Sequence, residues 1–270
     1  MRRVNNFVGA LFVTGFMAFP AQADVAGGIE LLNSGDVSAA AKEFAAAYEA
    51  GDGEGAFYLG RLFELGLGTE KDEMRAANLY SAAADTGSTK AQVRLGLMYH
   101  EGRVLLRDYV EGTRLICAAA EAGEAEGQLN CGMAYQLGRG VGADATLAAT
   151  YLQRAADQDN ILALNVLGQN ALEAGDIAVA KDYLSKSANK GNAGGMYEYA
   201  KLLAAGETPD NITAYAYASL AVVRGLNTAA GLRDDLEAAM SAADVLAGQA
   251  MAREWTEMRI LESTSATDGN

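Results

Sequence analysis

Three stretches decide the fold when set beneath one another: "LGRLFELGLGTEKD" (residues 59–72), "LGLMYHEGRVLLRD" (95–108) and "CGMAYQLGRGVGAD" (131–144). Each begins 36 residues after the one before it. Gly60, Gly96, Gly132 and Gly168 share that spacing, as do Gly66, Gly102 and Gly138, and then Asp36, Asp72, Asp108 and Asp144. A fixed period of this length marks a solenoid, in which each unit is a helix pair that buries its apolar face only against its neighbours.

Within one unit the residues predict two antiparallel helices. Ala56, Leu59 and Phe63 carry helical spacing around Gly60. A glycine inside a helix costs about 1 kcal/mol relative to alanine. Its return at one position therefore predicts that the second helix crosses there too closely for a side chain. The second helix answers with the small pairs Ala83-Ala84, Ala119-Ala120 and Ala155-Ala156. Gly66 and its equivalents are expected to end the first helix in a left-handed cap. Gly87, Gly123, Gly191 and Gly225 are expected to do the same for the second helix, with Asp159 departing from the pattern. Six aspartates, at 36, 72, 108, 144, 176 and 210, stand four residues before a small residue, where a carboxylate caps the second helix and meets its dipole. In this frame the fourth unit has lost four residues from its inter-helix loop and the fifth has lost two, where deletions are tolerated.

With Gly, Gly, Asp, Ala-Ala and Gly all recurring in frame, the chain resembles the Sel-one-like repeat (SLR) family, relatives of the tetratricopeptide repeats. The match runs from about residue 26 to 225 and takes in "AYAYASLAVVRG" of the last unit. The resemblance implies an all-α, right-handed α-solenoid of about five to six repeats of ~36 residues. The expected division is 1–23 signal peptide, 24–225 helix-pair repeats, 226–262 C-terminal capping helices and 263–270 disordered tail. Similarity to the tetratricopeptide frame also implies a concave binding face, at positions three before, one after and four after the crossing glycine. These are Phe57, Arg61 and Glu64, then Val93, Leu97 and His100, then Leu129, Met133 and Gln136, and finally Asn165, Gln169, Leu172, Tyr197 and Lys201. An apolar stripe flanked by amides suits an extended peptide or a partner helix.

The N-terminal "MRRVNNFVGALFVTGFMAFPAQAD" has a basic start, an apolar run from Phe7 to Phe19, Pro20 and a small-residue Ala21-Gln22-Ala23. This pattern predicts a secretory signal peptide cleaved after Ala23, and hence a periplasmic protein in an oxidising compartment. The full chain carries a net charge of −14; removing residues 1–23 takes away two arginines and no acid, which leaves −16. Such a surface repels nucleic acid and anionic membranes, and no membrane insertion of the mature chain is expected. No cofactor is implied. His100 is the single histidine and the two cysteines lie away from it in frame, so a four-ligand zinc site has no set of ligands. On its own, His100 reads as a solvated residue near a helix end, with a pH-sensing role as the alternative because histidine titrates near neutrality.

Catalytic patterns are weak. Ser187-Ala188-Asn189-Lys190 fits S-x-x-K, and some cysteine-rich relatives have been linked to penicillin binding. No S-D-N or K-T-G accompanies it, and the serine falls on the small-residue packing position. Gly51 to Ala56 fits G-x-G-x-x-A without the preceding strand that dinucleotide binding needs, and reads as an inter-repeat turn. The leading expectation is a non-enzymatic repeat scaffold that recognises another envelope protein. The alternatives are an envelope enzyme acting on peptidoglycan or β-lactams, and a structural homo-oligomer.

Cys117 and Cys131 flank one inter-repeat turn in "ICAAAEAGEAEGQLNCG" (116–132). In the cysteine-rich branch of the family each bridge joins the same two elements, at positions that correspond here to Ala120 and Gln128. The present pair lies one helical turn further along the same hairpin. The resemblance and the oxidising compartment together imply a structural disulfide.

Overall fold

The computed structural model describes the backbone of residues 24–268 and the side chains as far as Leu261, so the signal-peptide stretch, 1–23, lies outside the described residues. Fourteen helices and no strand occur among those residues. They fall in two compact units that meet in sequence between Thr86 and Gly87.

The first unit holds α1 (Val25–Asn33), α2 (Val37–Glu49), α3 (Gly53–Leu65) and α4 (Glu73–Asp85). Phe44 is fully buried among Ala40, Leu62 and the aliphatic residues of α1, and its ring stacks on Tyr58 at 4.9 Å between centroids. Of the "GDGEGA" stretch (51–56), only Gly51 and Asp52 form the expected turn, Gly51 with φ +91° and Asp52 capping α3 by accepting from the Glu54 amide at 2.9 Å, while Gly53 to Ala56 already belong to α3.

The second unit contains α5 (Thr89–Glu101) with α6 (Tyr109–Glu121), α7 (Ala125–Leu137) with α8 (Ala145–Asp157), α9 (Ile161–Glu173) with α10 (Ile177–Asn189), and α11 (Ala193–Ala205) with α12 (Asn211–Val223). Two further helices, α13 (Ala229–Ala239) and α14 (Ala242–Asp268), pack on α12. Leu236 of α13 and Val245 of α14 join the cluster around Tyr215, and Trp255 of α14 covers Leu220 and Ala221. The backbone of α14 stays helical to Asp268, into the polar stretch that its composition led one to expect as a frayed tail.

The periodic residues do what their chemistry requires. A Cβ placed on Gly60, Gly96, Gly132 or Gly168 would lie 2.7 Å from the Tyr80 ring, 2.7 Å from the Gly112 carbonyl oxygen, 2.9 Å from Leu152 Cγ and 2.6 Å from Leu184 Cγ, respectively. The four second-helix residues that fill those crossings, Tyr80, Ile116, Leu152 and Leu184, are all fully buried. Gly66, Gly102 and Gly138 sit at left-handed caps. Asp159 stands where its equivalents are glycines, and it too has positive φ, 62°. All six aspartates cap as expected, each accepting from amides in the first turn of the second helix; Asp36, Asp72, Asp176 and Asp210 engage one amide, Asp108 and Asp144 two. The inter-helix loops run 66–72, 102–108 and 138–144 in the long units but only 174–176 and 206–210 in the last two, so the deletions fall entirely in loops.

Cys117 and Cys131 form a disulfide that joins α6 to α7, with Cα atoms 5.1 Å apart. Cys131 is fully buried against Ile116, Ala120 and Tyr151, so one end of the bridge belongs to the core.

Candidate functional site

The fourteen residues implied by the repeat frame do not share one environment. Phe57, Val93 and Leu129, each three before the crossing glycine, are buried and offer no contact surface. Phe57 packs edge-on against Tyr58, at 5.1 Å between centroids, and near Tyr80. Leu129 packs among Leu152, Ala155, Ala163 and Leu164, wedged between its own second helix and the first helix of the next repeat. The reason is what the adjoining helices place over each residue: the same position in the later units holds Asn165 and Tyr197, which are only half-buried.

The other positions reach the surface, several of them already engaged. In the first unit Arg61 pairs with Glu64 at 2.8 Å, and Glu64 also accepts from the Tyr80 hydroxyl at 2.5 Å. In the second unit Gln136 and Asn170 exchange amide hydrogen bonds, Gln136 Nε2 donating at 2.9 Å and Asn170 Nδ2 at 3.4 Å. Lys201 pairs with Glu198 at 2.8 Å and lies 5.3 Å from the Tyr197 ring centre. Leu172 is half-buried against Ala171, Leu184 and Tyr199. Gln169 is exposed, and Asn165 is half-buried.

Leu97, His100 and Met133 come together. With Glu101, Asn130, Ala134, Leu137 and Arg139 they line a cleft of about 200 Å³ between α5 and α7. Met133 is 37% and Leu137 59% exposed, which puts apolar surface at its mouth. The helical residues among the additions follow from spacing, since Asn130, Met133 and Leu137 recur on one face of α7. Arg139 does not. It follows the left-handed Gly138 in a loop, where helical periodicity carries no information.

His100 is not the freely solvated residue expected. Its Nε2 lies 3.0 Å from the Thr113 hydroxyl, and that hydroxyl spends its one proton on the Arg139 carbonyl oxygen at 2.8 Å. Thr113 must therefore accept, which puts the imidazole proton on Nε2. The ring also meets Tyr109 edge-on at 5.5 Å. Burial holds the His100 pKa below its usual value; the backbone of Tyr109 acts in the opposite direction and the Arg139 charge lowers it further. Gly112 makes room for this ring, since a Cβ there would lie 2.4 Å from His100 Cδ2. Alanine occupies the matching position in the other repeats, at residues 40, 76, 148, 180 and 214.

The S-x-x-K pattern holds no exposed nucleophile. Ser187 is fully buried, its hydroxyl donates to the Ile161 carbonyl oxygen at 3.4 Å, and Lys190 pairs with Asp159 at 2.9 Å. Among the described residues no group of three or more His, Cys, Asp or Glu side chains is placed to hold a metal ion, and no helix is long and apolar enough to cross a membrane.

The repeat boundaries seen in the helices coincide with five matches to the Sel1 repeat, at residues 53–88, 89–124, 125–160, 163–192 and 193–222. The chain belongs to the Sel1 repeat family. The pair α1–α2 precedes the matched repeats, and α13 and α14 follow them. Among solved structures, the chain is similar to a Sel1 repeat protein from Oxalobacter formigenes, at 23% identity over 88% of this chain and 97% of that one, with a TM-score of 0.72. It is also similar to a protective antigen of uropathogenic Escherichia coli strains that displays an SLR fold, at 18% identity over 87% of this chain and 62% of that one, with a TM-score of 0.63. An immunity protein from Pseudomonas aeruginosa is similar over 68% of this chain and 73% of its own, at 21% identity and a TM-score of 0.50. At these identities the likeness establishes the Sel1 fold alone. No match is found among curated proteins.

Proposed function

We propose that this Sel1 repeat protein is a non-enzymatic periplasmic scaffold that recognises another envelope protein through the exposed side of its first helices. The observation that carries the reading is the α5–α7 cleft, where Leu97, Met133 and Leu137 present apolar surface beside polar groups in a chain of strongly negative charge. Scattered single apolar residues are ordinary on a protein surface, but a contiguous concave patch with polar neighbours is the usual form of an anchor site. The secreted location is supported by the N-terminal pattern and by the disulfide, since such bonds persist where thiols are not kept reduced. That similar folds include a protein described as an immunity protein and one described as a protective antigen is compatible with work done by binding.

The test is capture from an envelope extract by the tagged mature protein, with and without Leu97→Glu and Met133→Glu. The substitutions should abolish capture of a discrete protein while the far-ultraviolet circular dichroism spectrum stays the same. Equal capture by wild type and both variants would remove the cleft from the binding surface.

A further inference from the structure

The cleft's charge and size say more about its occupant than the repeat frame does. Its one carboxylate, Glu101, is engaged by Arg103, whose Nη2 lies 2.7 Å and Nε 3.2 Å from the same oxygen. Arg139 is different. No carboxylate pairs with it among the described residues. Its guanidinium instead lies 5.4 Å from the centre of the Tyr109 ring, a contact it shares with Arg107 at 5.8 Å. In a chain with 35 acidic residues against 21 basic ones, a cation without a carboxylate beside exposed methionine and leucine is a local reversal of the surface charge.

The positioning is built in. Gly140, with φ +73°, lets the loop after Arg139 run so close to α6 that a Cβ there would fall 2.0 Å from the Tyr109 carbonyl oxygen. The Thr113 hydroxyl then holds the Arg139 carbonyl. Asn130, which lines the cleft from α7, is oriented by donation from its Nδ2 to the Glu126 carbonyl at 2.8 Å. A space of about 200 Å³ is smaller than the roughly 300–1,000 Å³ of small-molecule and cofactor sites, so it suits one anchoring side chain of a larger partner. A guanidinium held on an aromatic ring is suited to grip a planar carboxylate through two parallel hydrogen bonds.

We infer that the α5–α7 cleft seats a partner segment that carries a large aliphatic side chain next to a carboxylate, with the side chain between Leu97, Met133 and Leu137 and the carboxylate on Arg139. This rests on the docking reading above and adds the chemistry of the ligand to it. The Arg139 side chain is exposed and Thr113 holds this residue by its backbone carbonyl, so a change of side chain leaves that hydrogen bond in place.

The experiment uses the mature protein labelled with ¹³C at the methionine methyl groups, titrated with N-acetyl-leucine and, separately, with N-acetyl-leucinamide. The two probes share the side chain and differ in the carboxylate. The Met133 methyl signal, assigned by loss in Met133→Leu, should move with N-acetyl-leucine at a dissociation constant on the order of millimolar. The amide should bind about five-fold more weakly, and Arg139→Gln should bring the two probes level. Equal binding of acid and amide to the wild type overturns the carboxylate assignment while leaving an apolar docking site in place. No movement of the Met133 signal with either probe up to about 50 mM overturns the anchor itself; failure of the docking reading is seen separately, as unaltered capture by the glutamate variants.

Discussion

Gly96→Ala isolates the claim on which the repeat rests. In a solvated helix this change stabilises, by up to about 1 kcal/mol, because alanine is the better helix former. At Gly96 the new methyl would sit 2.7 Å from the Gly112 carbonyl oxygen and 2.7 Å from Ile116 Cγ1, where ordinary contact begins at 3.4 Å. The carbonyl is backbone and cannot rotate away, so α5 and α6 must part by about 0.7 Å, the difference between those two distances. Overpacking of this kind costs about 1–3 kcal/mol, and subtracting the propensity gain of about 1 kcal/mol from the middle of that range leaves a net loss of about 1 kcal/mol. Gly231→Ala in α13 is the internal control, because nothing lies within 4 Å of a Cβ there. Urea unfolding followed by circular dichroism should move the two midpoints in opposite directions, Gly96→Ala downward by about 0.5 M or more. Were Gly96→Ala to stabilise as the control does, the close-crossing account of the repeating glycine would be refuted.

Three other outcomes follow from the same geometry. Replacing Cys117 and Cys131 by serine, or reducing the wild type, should lower unfolding free energy by about 3 kcal/mol, the chain-entropy value for a loop of this size; an unreduced mass spectrum showing two free thiols would contradict the bridge. Asp144→Ala removes the acceptor of the Thr146 and Leu147 amides and should cost about 1 kcal/mol, measurable as a lower urea midpoint with an unchanged slope. His100 has a folded pKa below the usual 6.5, so between that value and 6.5 the unfolded chain holds the extra proton. Its contribution to stability is complete above about pH 6.5 and is lost as pH falls toward the folded pKa. His100→Gln, the residue found at the matching position 136, should therefore flatten the decline in urea midpoint between about pH 7 and 5.

The repeat was legible because a solenoid is built from local contacts. Gly96 meets α6 of its own repeat, Asp108 caps the helix that begins at the next residue, and the shortened loops at 174–176 and 206–210 leave the helices on both sides intact. Spacing records such contacts directly, and it was enough to place the helix pairs, their caps, their crossings and the sites of deletion. It was not enough to say which face residues are open. Phe57, Val93 and Leu129 share a frame with Leu97 and Met133, yet they are buried, because exposure depends on what the neighbouring helix places over each one.

What the sequence determined alone is therefore the architecture: an all-helical chain of repeats, with each glycine and aspartate given its task by backbone geometry and hydrogen bonding. The tertiary structure alone decided the bridge, the His100 environment and the α5–α7 cleft. Closure of the Cys117–Cys131 bridge needed the two helices brought to a Cα separation of 5.1 Å. The His100 environment needed Thr113 and Gly112 from α6 together with a carbonyl from the loop after α7. The cleft needed Arg139, a loop residue whose direction is set by the left-handed Gly138 and the close pass of Gly140. Periodicity reports the contacts that every repeat makes; the cleft is made of those that one repeat makes and the others do not.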